Sequence, residues 1–361
     1  MTLRHVGLSF GRVEHWHDGL GEFSRQLALA LAARAPALLA ERGVRLHYHL
    51  PRQWHGLFGT EVNYLGTHTS QRLLHLRRER FALWHCLHQH IRLRPPLGTE
   101  RVMDTVHDLN FLHTKRGAKL ERYRSRLRRR LQGRDQIVAI SHHAARDIER
   151  ELAPLPAPIQ VIPNGVTDLS HAPREPIGEL AGAAPFLLHI SRMAPSKNVA
   201  ALVELAAAWP QQRFVFAGGA SGYSAEVQRE ISARGLHNVS LHFDVSEAQK
   251  AWLYAQCLGF VFPSFTEGFG LPPLEAMCFG KPVFLSRLTS LPEIGGDAAW
   301  YFDDFAPAAM RRVVEAGLAT HEHEQRAAQV AAHARRFDWT RCAARYEAVY
   351  LRLLGDVRKD D

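Results

Sequence analysis

The sequence predicts an α/β chain of two successive βαβ units, each built on a parallel sheet. Three observations carry that prediction. Short apolar strand patterns alternate with helical patterns in two separate series; the composition shifts to proline and small residues between them; and 361 residues exceed what one ordinary core holds. In the first series, "HVGLSF" reads as a strand, followed by a polar, glycine-bearing loop and a helix over 20–34. The apolar run 27–40 behind it is broken by Arg34 and Pro36. "VRLHYHL", "FALWHCLH", "RVMDTVHD" and "QIVAI" are further strands separated by helical or loop segments, the alternation of a parallel sheet with crossover helices. Residues 153–185 bring the compositional shift, with a strand "IQVI" and a turn at Asn164-Gly165, so the boundary is expected just after it, giving domains 1–168 and 169–340. The second series runs "PFLLHIS", "RFVFAGG", "VSLHFD", "GFVFPS" and "KPVFLS", with helices over 198–208 and 246–256. A cleft between two such domains is the expected place for a ligand.

Composition narrows the class. With 46% apolar and 22% charged residues and no run of about 20 apolar residues, a globular protein without a spanning helix is expected. Met1 to Gly11 is too short, and too soon followed by charge, for a signal peptide. Cys86, Cys257, Cys278 and Cys342 lack CxxC spacing, which argues for reduced cytosolic thiols rather than a disulfide frame or zinc site. The 22 histidines include no HxxxH or HExxH pattern. His85, His88 and His90 are expected along a strand end near the cleft; His142-His143 opens a helix with Ser141 as N-cap. Trp252, Tyr254 and Trp339 read as packing residues. The net charge of +9 sits almost wholly in 114–130, where nine Lys and Arg against Glu121 give +8 locally. Leu120, Tyr123, Leu127 and Leu131 fall at helical spacing, so this is a helix with one buried stripe. Its basic face is either simply solvated or drawn to an anionic membrane or lipid-phosphate acceptor. No aromatic-interleaved or zinc pattern accompanies it, which speaks against nucleic acid.

The stretch "SFTEGFGLPPLEAMCFGKPV" (264–283) carries the most specific chemistry. It follows a buried strand and opens a helix whose first turn takes Pro272-Pro273 and whose stop is Gly280. Gly268 and Gly270 let backbone amides approach an anion at a positive helix start. Glu267 and Glu275 make poor phosphate ligands but good acceptors for hydroxyl donors, hence sugar and ribose. After the first strand of this half, "HISRMAPSKN" supplies Arg192 for bidentate grip of a diphosphate and Lys197 as a flexible point charge.

Arg-x4-Lys followed by Glu-x7-Glu around Gly-Phe-Gly resembles the retaining GT-B glycosyltransferases called family 4. The likeness also takes in "VHDLNFLH", "VAISHHAARDI", "VIPNGV" and "FDWTRCAARYEAVYLRLL", so it spans nearly the full length. It implies two Rossmann-like domains facing a central cleft, with residues 341–361 as a closing helix packing back on the first. It implies that Arg192 and Lys197 neutralise the leaving diphosphate, Glu267 binds hydroxyls of the transferred sugar and Glu275 the ribose. Amides around Gly268, Phe269, Gly270 and Leu271 would complete the cradle, and the backbone around Val245 in "HFDVS" would contact the base. Gly19 and Gly21 would approach the donor phosphates, His107 would position the sugar, and Asp108 would orient the cleft or the acceptor. Such transfer needs no protein nucleophile: the leaving phosphate accepts the incoming hydroxyl's proton, and catalysis rests on positioning and charge.

The expectation is therefore a cytoplasmic transferase, peripheral on the inner membrane face through 114–130. It would use GDP-mannose, or a UDP-sugar in the alternative, on a lipid-linked or lipopolysaccharide-type saccharide acceptor. No cofactor or metal and no nucleic-acid partner are expected. Ser191 where the family often has glycine, and Gly19-Leu20-Gly21 for a plain Gly-Gly pair, are departures. A dinucleotide oxidoreductase would need a GxGxxG that "FGRVEHWHDGLGEF" does not supply. A phosphorylase would need a pyridoxal lysine and a longer chain, and a nucleotide or nucleic-acid module would leave both acids idle.

Overall fold

The computed structural model describes residues 3–14, 16, 18–182 and 184–355. The chain divides into two compact units: one holds the chain up to Gly165 and again from Asp338, the other is Val166–Phe337. Both switches fall three residues before the expected boundaries. The last six residues of the expected closing segment lie outside the described residues.

The first unit is a seven-stranded parallel sheet. Its elements are β1 (Arg4–Ser9), α1 (Gly19–Arg42), β2 (Val44–Leu50), β3 (Asn63–Gly66), β4 (Phe81–Cys86), β5 (Arg101–Val106), α2 (Phe111–Thr114), α3 (Gly117–Gln132), β6 (Gln136–Ala139), α4 (His142–Leu152) and β7 (Ile159–Val161), with strand order β3-β2-β1-β4-β5-β6-β7. β3 is too short and polar to be visible in the sequence. α1 extends eight residues beyond the expected end and passes through Pro36. Leu27, Leu31, Ala35 and Leu38 form one buried stripe along it, and that packing outweighs the roughly 3 kcal/mol an interior proline costs. Gly43, at φ 63°, ends the helix with its N–H on Leu39 O. Ser141 caps α4 as expected, accepting from Ala144 N.

The second unit is a six-stranded parallel sheet. It comprises β8 (Phe186–Ile190), α5 (Val199–Ala208), β9 (Arg213–Gly218), α6 (Gly222–Ala233), β10 (Val239–Phe243), α7 (Glu247–Gln256), β11 (Gly259–Phe262), α8 (Leu271–Cys278), β12 (Val283–Ser286), α9 (Leu291–Gly295), β13 (Trp300–Phe302), α10 (Pro307–His323) and α11 (Ala327–Ala334). The strand order β10-β9-β8-β11-β12-β13 reverses between β8 and β11. Loops leaving the carboxyl ends of those two strands meet at the switch point, the place where ligands bind in open parallel sheets.

Helix α12 (Trp339–Leu353) returns to the first unit and packs along α1. Tyr346 and Tyr350 send their hydroxyls to Thr105 Oγ1 (3.0 Å) and His85 Nδ1 (2.7 Å), and His85 Nε2 meets Thr105 Oγ1 at 2.8 Å. His85 sits near the carboxyl end of β4 as expected but faces the core, fully buried, where burial pushes its pKa down to about 3. Helix α3 is also corrected. Leu127 and Leu131 are buried, but Tyr123 is 39% exposed, so the apolar stripe is narrower than its spacing implied. Four of the cations at its end of the chain are internal fasteners. Arg130 and Arg134 both pair with the fully buried Asp104, Arg124 bridges Glu121 and Glu151, and Arg128 donates to the last carbonyls of α4. Lys119, Arg122, Arg126 and Arg129, spaced at 3, 4 and 3, stay exposed on one face. Among the described residues no helix is long and apolar enough to cross a membrane.

Candidate active site

In the second unit, the loops after β8 and β11 are stitched together by backbone. Phe265 N and Ser264 Oγ both donate to Ser196 O, at 2.8 and 3.0 Å. That stitching brings two sequence-distant candidates into contact: Lys197 Nζ donates to Glu267 Oε1 at 2.6 Å, with both side chains mostly buried. Lys197 also lies 5.7 Å above the Phe262 ring. The Glu267 backbone is fixed from the loop after β12, since its N–H donates to Thr289 Oγ1 (3.0 Å) and its carbonyl accepts from Ser290 Oγ (3.1 Å). Arg192 is exposed and makes no ion pair among the described residues. A guanidinium on the same loop as a lysine–carboxylate pair can take a diphosphate while the carboxylate turns to sugar hydroxyls.

Ser191, the departure from glycine, has a physical account. His189 is buried in β8 with Nδ1 donating to Val261 O (2.9 Å), so Nε2 accepts from Ser191 Oγ at 2.8 Å. Burial pushes this histidine down to about 4 and keeps it neutral. On the neighbouring strand a glycine is required at Gly218, whose φ is +155° and whose added Cβ would stand 1.7 Å from the backbone Ser191 O. Sequence reading missed Gly218; the Gly-Gly after "RFVFA" was its only signal.

Pro272 and Pro273 sit in the first turn of α8, as expected, with Gly270 as its N-cap. Gly270 is required for a reason besides anion approach: its φ is +122°, and a Cβ there would meet Leu291 at 2.9 Å. Phe269 is buried edge-on to Phe337, and Leu271 opens the helix. Gly268 follows Glu267 in the loop between them, and Val245 lies half-buried beyond β10. Glu275 does not share the Lys197–Glu267 pair. It is buried and tied to α7, its Oε2 accepting from Tyr254 Oη (2.8 Å) and facing Lys250 Nζ at 3.0 Å. Tyr254 is the buried packing residue its sequence context indicated, and its hydroxyl also serves Glu275. Lys250 and Tyr254, four apart on α7, are the partners of Glu275 that the sequence did not disclose.

In the first unit, Gly19 and Gly21 lie in the first turn of α1 rather than in a loop, and Asp18 caps it by accepting from Gly21 N at 2.7 Å. A Cβ at Gly19 would meet nothing within 4 Å, so no packing demands a glycine there. Gly21, Asp18, Arg12, Arg72, His90 and Arg92 are among the residues lining a cavity of about 360 Å³. His107 is buried, edge-on to Phe23, with Nε2 donating to Leu87 O (3.0 Å) and its pKa pushed to about 4 by burial. It is therefore neutral near pH 7, with Nδ1 as an acceptor. Asp108 is half-buried, and its Oδ1 accepts from Asn110 N. Gln89, overlooked among the histidines of "WHCLHQH", clamps both residues. Its Oε1 accepts from His107 N and its Nε2 donates to Asp108 O, each at 3.1 Å.

Comparison with known proteins gives the following. The family model "Glycosyl transferases group 1" matches residues 175–334 and "Glycosyltransferase Family 4" matches 17–168. The chain is 29% identical over 298 residues to the O-antigen chain mannosyltransferase B of Escherichia coli, covering 76% of this chain and 77% of that protein. It is 26% identical over 310 residues to the GDP-mannose:cellobiosyl-diphosphopolyprenol alpha-mannosyltransferase of Xanthomonas campestris, covering 82% and 78%. Among solved structures, the sucrose-phosphate synthase of Thermosynechococcus elongatus superposes with a TM-score of 0.74 at 16% identity, over 98% of this chain and all of that one.

Proposed function

The chain belongs to the group 1, family 4 glycosyltransferases of GT-B fold, and on that premise we propose that it transfers mannose with retention of configuration from GDP-mannose to a lipid-linked saccharide of the lipopolysaccharide type. The observation that carries this reading is the 2.6 Å contact of Lys197 with Glu267, with Arg192 exposed in the same loop after β8. A diphosphate entering there draws Lys197 away and leaves Glu267 as an acceptor for hydroxyls of the sugar. Arg192 and Lys197 then stabilise the charge that gathers on the leaving phosphate. That phosphate takes the proton of the attacking hydroxyl, so the incoming bond forms on the face the leaving group vacates. Glu275, held at Oε2 by Tyr254 and Lys250, is the ribose acceptor, and the backbone at Val245 and Gly268 to Leu271 lines the rest of the donor. His107 and Asp108, clamped by Gln89, are assigned to the sugar and the acceptor, and Gly19 and Gly21 in the first turn of α1 to the donor phosphates.

The names of the two mannosyltransferases support mannose as the sugar, and the second supports both GDP as the nucleotide and a diphospholipid-linked acceptor. The arginines of the 360 Å³ cavity suit such an acceptor's charge. The exposed stripe Lys119, Arg122, Arg126 and Arg129 would hold the enzyme to an anionic inner membrane face. Two cations on the diphosphate do the work of a divalent metal, so transfer is expected to survive EDTA; abolition with rescue by Mn²⁺ would refute that part. The test of the whole is calorimetric titration with GDP and UDP without metal, repeated on Lys197→Ala, followed by product analysis. Preference for GDP that weakens in the variant is the expected result. Absence of binding by either nucleotide sinks the donor site, and preference for UDP sinks mannose from GDP-mannose.

A further inference from the structure

Twelve large hydrophobic residues are exposed among those described, and four of them gather in one place outside the candidate site. Leu73, Leu74, Leu76 and Leu97 are 79, 53, 64 and 73% exposed. Single exposed leucines are ordinary, but a cluster this open on one surface marks a contact. The first three lie in the segment from β3 to β4, the fourth in the segment from β4 to β5; neither segment contains a helix of α type.

These segments are well fastened beneath. Leu97 N donates to His75 O and Arg94 N to Gln71 O, each at 2.8 Å, so the two run side by side. His75, between Leu74 and Leu76, points inward: it is 2% exposed and edge-on to Trp84, its Nδ1 donates to Arg94 O, and its Nε2 accepts from Arg77. Ile91 and Leu93 join a small apolar cluster with Phe81 and Trp84. The leucines thus project from an anchored base, at an entropy cost already met on folding.

The rim is basic. Arg72, Arg78, Arg80 and Arg94 are exposed around the leucines, against the single acid Glu79 within 72–80. Right-handed crossovers put β3→β4, β4→β5 and β5→β6 on one face of the sheet, so α3 lies on the same side, and its Arg130 reaches Ile91 O. The charge also selects the occupant. A second copy docking face to face would set these arginines against their own equivalents, whereas lipid phosphates would pair with them.

We propose that the paired segments 72–80 and 91–98 are a membrane-inserting tip, Leu73, Leu74, Leu76 and Leu97 entering the acyl boundary of an anionic bilayer while the surrounding arginines stay at its phosphates. Charge on α3 attracts the enzyme to the surface, and the leucines hold it there, two signals where either alone gives weak attachment. The tip stands independently of which nucleotide sugar the enzyme uses.

The test is co-sedimentation of the whole protein with vesicles of phosphatidylglycerol and phosphatidylcholine, and of phosphatidylcholine alone. The triple variant L73S/L74S/L76S keeps every charge, yet its partitioning onto the anionic vesicles should fall about tenfold or more, as loss of three buried leucines demands. Thermal unfolding of the variant checks that it folds. The four native cysteines are buried, so an environment-sensitive fluorophore on Leu74→Cys reports the tip, and it should shift to the blue with anionic vesicles only. Undiminished partitioning of the triple variant, or an unshifted fluorophore on bound protein, overturns the proposal. So does a wild-type dimer that the triple variant turns into a monomer without lipid, since the patch would then join copies of this chain. Nucleotide titration is a separate experiment, so failure of the tip and failure of the donor reading are told apart.

Discussion

Lys197 and Glu267 form an ion pair, and the proposed entry of a diphosphate between them makes their variants respond in opposite ways. Lys197→Ala should lose GDP affinity and about 10²-fold or more in turnover, because it removes a preorganised charge from the leaving group. Glu267→Ala should lose transfer while binding GDP at least as well as the wild type, because Lys197 no longer has a competing partner. Titration calorimetry with GDP beside steady-state kinetics separates the two; equal loss of GDP affinity in both would contradict the exchange. At Glu275 the effect is on stability. Tyr254→Phe removes one of the donors of a buried carboxylate and should cost about 1–3 kcal/mol in denaturant unfolding, with a smaller variant effect if Lys250 compensates. At this scale the sequence disclosed residue types well and pairings poorly. Glu267 and Glu275 look equivalent in the Glu-x7-Glu spacing, yet one meets a lysine 70 residues away and the other a tyrosine and a lysine of α7, because a loop and a helix end carry them in different directions.

The helices differ in how far their own residues explain them. The residues of α3 revealed a basic helix, but the division of labour among its cations depends on what lies beneath it. Asp104 is fully buried in β5; burial raises its pKa, and the nearby Arg130 and Arg134 outweigh that and hold it below the ordinary carboxylate value. Asp104→Ala should therefore cost about 3–5 kcal/mol, since it strands two guanidiniums against the sheet, and urea unfolding of the variant measures it. Gly218→Ala acts on the junction of β8 and β9. The Cβ meets backbone that cannot swing away, so both the stability of this unit and nucleotide binding should fall, and a variant with wild-type GDP affinity would show that Ser191 can move. The end of α1 escaped sequence reading for a related reason: Pro36 is a local stop, and only the partners of Leu38 override it.

For the molecule as a whole, acid is the sensitive variable. His47, His49, His85 and His107 are buried in the first unit and His189 in the second, and burial lowers their pKa values to about 4, 3, 3, 4 and 4. Each binds its proton near the ordinary value of about 6.5 when unfolded and only near 3–4 when folded. The unfolded chain therefore holds more protons between those limits. Stability from these groups is complete above about pH 7, and each contributes a loss of about 1.4 kcal/mol per pH unit as pH falls below 6.5. Four of the five lie in the first unit, so hydrogen exchange at pH 7 and pH 5 should show that unit losing protection first. Equal loss in both units would mean that burial alone does not keep these histidines neutral.

The sequence by itself determined the α/β class, the two parallel-sheet series, nearly all the strands, the division near 165 and the family, because these rest on periodicity, turn residues and spacing that are local in the chain. It also supplied the candidates for the proposed donor site: Arg192, Lys197, Glu267, Glu275 and the glycines and prolines between. Tertiary structure alone decided that Lys197 meets Glu267, that Tyr254 and Lys250 hold Glu275, that Gln89 clamps His107 and Asp108, and that Gly218 makes room for Ser191. It decided also that His85 belongs to the core and four leucines to the surface. Each of these depends on residues brought together from distant parts of the chain, where packing, and no local propensity, sets which polar groups find partners and which apolar ones face out.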